Sequence, residues 1–114
     1  YCLNVGEDHV NDETPPTIYT FNLTHNDGND TFIGDIEASD DQSSTRKVEL
    51  FYRFDENGPW IFLVDQICSN PHYNCGAIDE FAYNGTNLTY AGLKGTAEDW
   101  AGNYVEEFIH MNFN

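Results

Sequence analysis

The sequence has few cationic residues: four Lys and Arg stand against twenty Asp and Glu, so 114 residues carry a formal net charge of −16. This balance excludes nucleic acid as a natural partner, because phosphate binding is driven by Lys and Arg side chains that release counterions. Anionic membrane surfaces are excluded for the same reason. Long apolar runs are lacking as well, and none approaches the roughly 20 residues that a transmembrane helix needs. We therefore expect no membrane insertion.

A helical pattern is also missing, since no window carries an apolar stripe with a 3.6-residue period. Instead, apolar and polar residues alternate along short segments separated by turn residues, most clearly from Val48 to Phe54, where the Asn57-Gly58 hairpin signal follows. This alternation predicts about seven strands, at 18–24, 32–38, 47–54, 60–67, 78–83, 88–99 and 104–113. The sequence therefore predicts an all-β sandwich as a single domain over residues 17–114. Residues 1–16 are predicted to be an acidic lead-in segment or linker.

The three cysteines suggest one disulfide. Cys68 and Cys75 bracket six polar residues rich in turn formers, so a bond between them is sterically easy. A zinc site that uses His72 is an alternative, but a structural zinc ion needs four ligands and no second Cys/His pair lies nearby. Free thiols are a further alternative. Cys2 is left over, and an odd cysteine in a secreted chain indicates a bond to another chain or a neighbouring domain, or a thiol exposed by truncation.

Four asparagines begin Asn-x-Thr sequons and are candidate glycosylation sites: Asn22, Asn29, Asn84 and Asn87. Asn- and Thr-rich sequences also make such triplets by chance. Together with the predicted disulfide, the sequons favour an extracellular or cell-surface glycoprotein.

Motifs for catalysis are lacking: the four histidines are scattered, and no phosphate-binding loop or serine-nucleophile motif is present. We therefore expect a protein that is not an enzyme. Trp60 is predicted to pack across the core, whereas Trp100, in a turn, is a candidate ligand contact. Gly92 and Gly95 are predicted to mark a bulge or bend in the sixth strand.

Four segments in order resemble the immunoglobulin-like tandem repeats of prokaryotic-type surface and secreted proteins, including bacterial Ig-like and cadherin-like domains. They are Asp12-Glu-Thr-Pro-Pro-Thr-Ile18, Ile36-Glu-Ala-Ser-Asp-Asp-Gln-Ser-Ser44, Val48-Glu-Leu-Phe-Tyr-Arg-Phe54 with Trp60 beyond it, and Gly95-Thr-Ala-Glu-Asp-Trp-Ala-Gly-Asn103. The resemblance implies an immunoglobulin-like antiparallel β-sandwich. The segment 68–87 departs from the pattern.

In that resemblance, the lead-in segment, the loop after the second strand and the turn before the last strand lie at one end of the sandwich. This implies a cluster of carboxylates that a calcium ion would relieve of mutual repulsion, formed by Asp12, Glu13, Asp40, Asp41 and Asp99. The alternative for Asp99 is that its side chain fixes its own turn through backbone hydrogen bonds.

Three functions remain open. The first is an extracellular, non-catalytic structural or adhesion module of a surface protein, filament or secreted enzyme, which calcium stiffens and which contacts neighbouring domains or subunits. The second is a carbohydrate-binding module that stacks sugars on Trp100 and surface tyrosines. A flat row of exposed rings would favour this module, and buried rings would favour the structural module. The third is a filament subunit whose N-terminal segment adds a strand to the next subunit's open sheet edge.

Overall fold

The computed structural model describes residues 14–39, 45–68 and 74–113. Across these ranges the chain forms seven strands: β1 (Thr17–Asn26), β2 (Thr31–Ser39), β3 (Thr45–Arg53), β4 (Ile61–Ile67), β5 (Asn74–Ala82), β6 (Tyr90–Asp99) and β7 (Tyr104–Asn112). The same ranges contain no helix that could cross a membrane. The predicted lead-in segment lies almost entirely outside the described residues.

The strands form two antiparallel sheets, one of three strands in the order β1-β2-β5 and one of four strands in the order β4-β3-β6-β7. Hairpins join β1 to β2, β3 to β4 and β6 to β7, and the other connections cross between the sheets. This arrangement confirms the predicted immunoglobulin-like sandwich. The fifth strand begins four residues earlier than the sequence indicated, because Asn74 already pairs with Ser39 at the end of β2.

The core lies between the two sheets and is built from alternate residues of the inner strands. Phe32 is at its centre: its ring stacks on Phe81 with centroids 5.3 Å apart and on His25 with centroids 4.5 Å apart. The largest fully buried apolar side chains are those of Phe32, Ile36, Val48, Leu50 and Leu93. These residues follow the two-residue period of the sequence, so the alternation identified the buried face correctly.

A disulfide joins Cys68 and Cys75, as the sequence predicted. Cys68 directly follows β4, at the edge of the four-stranded sheet, and Cys75 lies in β5, at the edge of the three-stranded sheet. The bond therefore ties the two sheets together along one side of the sandwich. In the chain-entropy account, closing a loop of this length stabilises a fold by about 2.5 kcal/mol.

The prediction that Gly92 and Gly95 mark a bulge in β6 is wrong. Both residues pair in continuous register with β7, and the irregularity between β3 and β6 falls between Thr45 and Lys47 instead. At Gly95 the reason for glycine is space, since a Cβ there would lie 2.6 Å from Phe21 Cε1 and 2.8 Å from Ile36 Cδ1. The missing side chain lets the opposite sheet pack directly against the backbone of β6.

Candidate functional site: an aromatic sheet face

Trp60 does not cross the core, so that prediction is also wrong. Its indole lies on the outer face of the four-stranded sheet, 4.0 Å from Arg53 Cζ, with the Phe108 ring centroid 5.9 Å away. The core at this end of the sandwich is already filled by Phe54, which packs against the rings of Phe81 and Tyr83. Trp60 therefore finds its partners on the other side of the sheet.

A row of side chains crosses the outer face of all four strands in register. Phe62 in β4 is opposite Phe51 in β3, Phe51 is opposite Lys94 in β6, and Lys94 is opposite Phe108 in β7. The Phe51 and Phe62 rings meet edge to face at 5.8 Å, and Lys94 Nζ lies 4.6 Å from the Phe51 centroid. At the two ends of the row, Phe62 is 53% exposed and Phe108 is 59% exposed. We call this surface the aromatic face; it is formed by Phe51, Arg53, Trp60, Phe62, Lys94 and Phe108.

The outer face of this sheet also holds every cationic side chain of the sequence. Arg46 lies 3.3 Å from Glu98, Lys47 3.6 Å from Glu49, and Lys94 3.9 Å from Glu106, while Arg53 stacks on Trp60. Four carboxylates share the face with these cations, those of Glu49, Asp65, Glu98 and Glu106. The structure describes ten further acidic residues, and they lie elsewhere with no Lys or Arg among them. One locally neutral face therefore exists on a strongly acidic domain.

Arg53 holds the aromatic face in place. Its Nη1 donates to the Gly58 carbonyl oxygen at 3.0 Å, which ties β3 to the turn that carries Trp60. The guanidinium then lies between the Trp60 ring and the Tyr90 ring, with its Cζ 6.0 Å from the Tyr90 centroid. Stacking of this kind stabilises both the cation and the ring. The Nε atom of Arg53 is buried and has no hydrogen-bond partner among the described residues.

Tyr104 flanks the aromatic face and has a strongly shifted pKa. Burial raises the pKa of its phenol to about 12, and the hydrogen bond to Glu106 and the charges of Glu106 and Glu49 act in the same direction. The hydroxyl donates to Glu106 Oε2 at 2.7 Å, a bond that exists only while the phenol keeps its proton.

A pH effect follows from Tyr104. Since the folded-state pKa lies above the unfolded value of 10.0, the stabilisation from Tyr104 is complete below pH 10 and is lost as the pH rises towards 12. We expect Tyr104→Phe to remove the tyrosinate absorbance step near pH 12 and to flatten the fall in the free energy of unfolding between pH 10 and pH 12. Ultraviolet titration and urea unfolding at several pH values measure these two effects. A step near pH 12 that persists in Tyr104→Phe would refute the assignment.

Asp99 is fully buried and holds the turn between β6 and β7. Its Oδ1 accepts from the backbone N–H groups of Ala101 at 3.0 Å and Asn103 at 2.8 Å, and its Oδ2 accepts from the Asn103 side-chain amide at 2.9 Å. Gly102 has a φ of 94°, which a residue with a side chain rarely adopts. The turn-fixing role of Asp99 is therefore present in the structure.

Four of the five predicted calcium ligands lie outside the described residues: Asp12, Glu13, Asp40 and Asp41. The strands that flank them do meet at one end, because Thr17 pairs with Ser39 and Thr45 pairs with Asp99. Within the described ranges, no group of three or more His, Cys, Asp and Glu side chains is placed to hold a metal ion. The calcium site stays a prediction.

Trp100 and the sequon asparagines lie at the surface, as a contact or glycosylation role requires. Trp100 is 39% exposed in the β6–β7 turn, with Arg46 Cζ 5.5 Å from its ring centroid. All four sequon asparagines are exposed, and none lies on a strand of the four-stranded sheet: Asn22 is in β1, Asn29 in the β1–β2 turn, and Asn84 and Asn87 in the β5–β6 connection. Cys2 lies outside the described residues.

An open cleft of about 480 Å³ adjoins the aromatic face at the end of the sandwich where the β3–β4 turn lies. Tyr90 connects the two surfaces, since it lines the cleft and its ring centroid lies 6.0 Å from Cζ of Arg53 in the aromatic face. The other lining residues are Phe54, Asp55, Glu56, Asn57, Thr89 and Asn112. Carboxylate and amide groups in a cleft can hydrogen-bond a polar ligand. The Tyr90 side chain itself is buried, and its ring stacks on His110 with centroids 5.7 Å apart.

Sequence reasoning missed the aromatic face. The signal was present in β3, where Lys47, Glu49, Phe51 and Arg53 form the outward set of the alternation. The Asn57-Gly58 hairpin signal indicates β4 as one neighbour of β3, but nothing in the sequence says that β6 and β7 lie on its other side. Comparison of the chain with protein families, curated proteins and solved structures finds no match. The proposed function below therefore rests on the fold and the surface alone.

Proposed function

We propose that this domain is an extracellular, non-catalytic structural and adhesion module that makes its contacts through the aromatic face. The observation that carries the proposal is the row Phe62, Phe51, Lys94 and Phe108, whose two ends are apolar and half-exposed, in a chain of net charge −16. Exposed apolar patches rimmed by polar groups mark interaction sites. Aromatic and Arg side chains are the residues that dominate binding energy at protein interfaces.

The disulfide and the sequons support an extracellular location. Disulfides persist in oxidising compartments, and the Cys68–Cys75 bond ties the two sheets of this small sandwich. Glycans on Asn22, Asn29, Asn84 or Asn87 would leave all four strands of the larger sheet uncovered. Any glycosylation would therefore be compatible with contacts through the aromatic face.

A bead-attachment experiment tests the proposed function. Beads that carry the full chain are offered surfaces coated with the same chain, with neutral polysaccharide, with acidic polysaccharide and with albumin as a blank. We expect attachment to at least one non-blank surface, and we expect the double substitution Phe62→Ser and Phe108→Ser to abolish it. The matched control is Tyr19→Ser with Ile78→Ser, since these side chains are 51% and 63% exposed on the three-stranded sheet. No attachment to any of the three surfaces, or equal loss in both variants, would contradict the proposal.

Carbohydrate binding is the second candidate, and the cleft beside Tyr90 favours it. The cleft presents the polar groups of Glu56, Asn57 and Asn112 for hydrogen bonds to a sugar, and the exposed rings of Phe62 and Phe108 lie on the adjoining sheet face. If this candidate is correct, Glu56→Ala with Asn57→Ala will abolish attachment to polysaccharide, and free oligosaccharide will compete. Attachment to polysaccharide that the cleft variant leaves intact would refute the cleft as the binding site.

Assembly by strand addition stays a prediction, because the donor segment lies outside the described residues. The described part does offer acceptors: β1 and β5 bound the smaller sheet, and β4 and β7 bound the larger one. Unpaired strand edges of this kind can take an added strand.

A further inference from the structure

We propose that the aromatic face binds the aromatic face of a second copy of this chain, so that the domain forms a symmetric dimer. The inference rests on the proposed function and names the partner of the same surface. It follows from the distribution of charge, the size of the face and the order of the rows of side chains on it.

Charge selects this face for contact between copies. Everywhere else in the described chain the ionisable surface is acidic or carries His only, so two copies repel each other when those surfaces approach. On the outer face of the four-stranded sheet, Arg46, Lys47, Arg53 and Lys94 are matched by four carboxylates. Two such outer faces, each with balanced charge, meet with less charge repulsion than the acidic surfaces elsewhere in the described chain, and their contact buries the exposed rings.

The outer face of the four-stranded sheet, which contains the aromatic face, is also large enough for such a contact. Four strands about 4.8 Å apart, each about nine residues long, give a surface of roughly 600 Å² in projection. Each partner in a standard interface buries about 800 Å² of accessible surface, and accessible area exceeds projected area. A face-to-face pairing of two such sheets is also the geometry by which sheets pack within sandwiches.

The rows on either side of the aromatic row make the face self-complementary. On one side lies an acidic row, Asp65, Glu49, Thr96 and Glu106 across the four strands. On the other side lie Arg53 and His110, on either side of Gly92. A two-fold axis along the aromatic row exchanges the two sides of the face. The acidic row of each copy then lies opposite the partner's Arg53 and the partner's His110, so the contact occurs twice in the dimer. In an isologous contact each such pair is repeated by symmetry.

Lys94 lies on that axis, where it would face the partner's Lys94. Its ammonium is 3.9 Å from Glu106 of its own chain and lies over the Phe51 ring, so its charge is already compensated within each copy. The groups that meet along the axis are therefore aromatic rings and Lys94 ammonium groups whose charge is already balanced by Glu106 of the same chain.

Sedimentation equilibrium of the full chain tests the dimer, at protein concentrations from about 1 μM to about 1 mM, the range in which weak association is measurable. We expect a reversible monomer–dimer equilibrium. Phe62→Ser with Phe108→Ser should raise the dimer Kd at least about 30-fold, since each substitution occurs twice in the interface and buried aromatic anchors dominate such contacts. Tyr19→Ser with Ile78→Ser, the matched control on the other sheet, should leave Kd unchanged within about two-fold.

Salt dependence provides a readout that does not depend on variants. Screening of the long-range repulsion should tighten the dimer as salt rises from about 0.01 M to about 0.15 M, where the Debye length falls from about 30 Å to about 8 Å. A second variant, Phe108→Glu, adds a carboxylate at an exposed edge position and should also weaken the dimer while leaving the unfolding curve of the monomer in place.

Three results would overturn the proposal: a monomer at every concentration and salt, a dimer that the control variant weakens as much as the aromatic variant, or a dimer that neither variant affects. A monomer that still attaches to polysaccharide through Phe62 and Phe108 would overturn the dimer and leave the proposed adhesion function standing. If the beads attach to none of the three surfaces and the chain is monomeric throughout, both the adhesion function and the dimer are refuted.

Discussion

Replacing Phe32 by alanine is expected to lower the free energy of unfolding by about 4 kcal/mol, because a buried Phe→Ala substitution removes apolar contacts and leaves a cavity. Phe32 is fully buried and its ring contacts four other rings, those of His25, Phe54, Phe81 and Phe113. His25 and Phe81 belong to β1 and β5 of the three-stranded sheet, whereas Phe54 and Phe113 directly follow β3 and β7 of the four-stranded sheet. Because these partners are held by different parts of the fold, they cannot all move in to fill the space. For a domain of this size the melting temperature should fall by roughly 20 °C.

Phe62→Ala and Phe108→Ala are the matched controls, since they remove the same atoms from exposed positions. Urea unfolding followed by far-ultraviolet circular dichroism, at protein concentrations below any self-association, should show losses of less than about 1 kcal/mol for either one. If Phe32→Ala were no more destabilising than the controls, the core would not be centred on the Phe32 cluster.

Replacing Asp99 by alanine is the second large effect, with an expected loss of about 3 kcal/mol. The substitution removes a buried carboxylate that accepts three hydrogen bonds, and buried donors left without an acceptor cost roughly 1–3 kcal/mol each without being additive. The β6–β7 turn should loosen with it, because the backbone N–H groups of Ala101 and Asn103 lose their shared acceptor. Thermal unfolding in the presence of EDTA measures this loss without any contribution from a bound cation.

Asp99→Asn separates the turn role from the predicted calcium role. Its side-chain oxygen can still accept from Ala101 and Asn103, so it should retain most of the stability in EDTA while losing the carboxylate charge. If Asp99 is a calcium ligand, wild type should gain thermal stability with calcium and not with magnesium or sodium, and Asp99→Asn should lose that gain. A shift that every salt reproduces would contradict a specific calcium site and would indicate general screening of the acidic surface.

The sequence by itself determined that there are seven strands, which faces of β2 and β3 are buried, and which cysteines form the disulfide. Alternation at Val48, Leu50 and Tyr52 identifies an inner face because successive residues of a strand point to opposite sides, whatever the strand pairs with. The bond between Cys68 and Cys75 was predictable because a short polar loop brings its ends together without tertiary help. The turn-fixing alternative for Asp99 was predictable for the same reason, since all its partners lie within four residues.

Only the tertiary structure decided what lies on the outer faces. Phe62, Phe51, Lys94 and Phe108 come from four different strands and become one row because β4, β3, β6 and β7 pair in a particular order and register. Trp60 is a second residue whose position the sequence could not predict. Its size favoured the core, but Phe54, Phe81 and Tyr83 fill the space at that end of the sandwich. A local pattern states which side a residue is on relative to its neighbours. Strand order, register and competition for core volume are properties of the whole fold, and they formed the aromatic face.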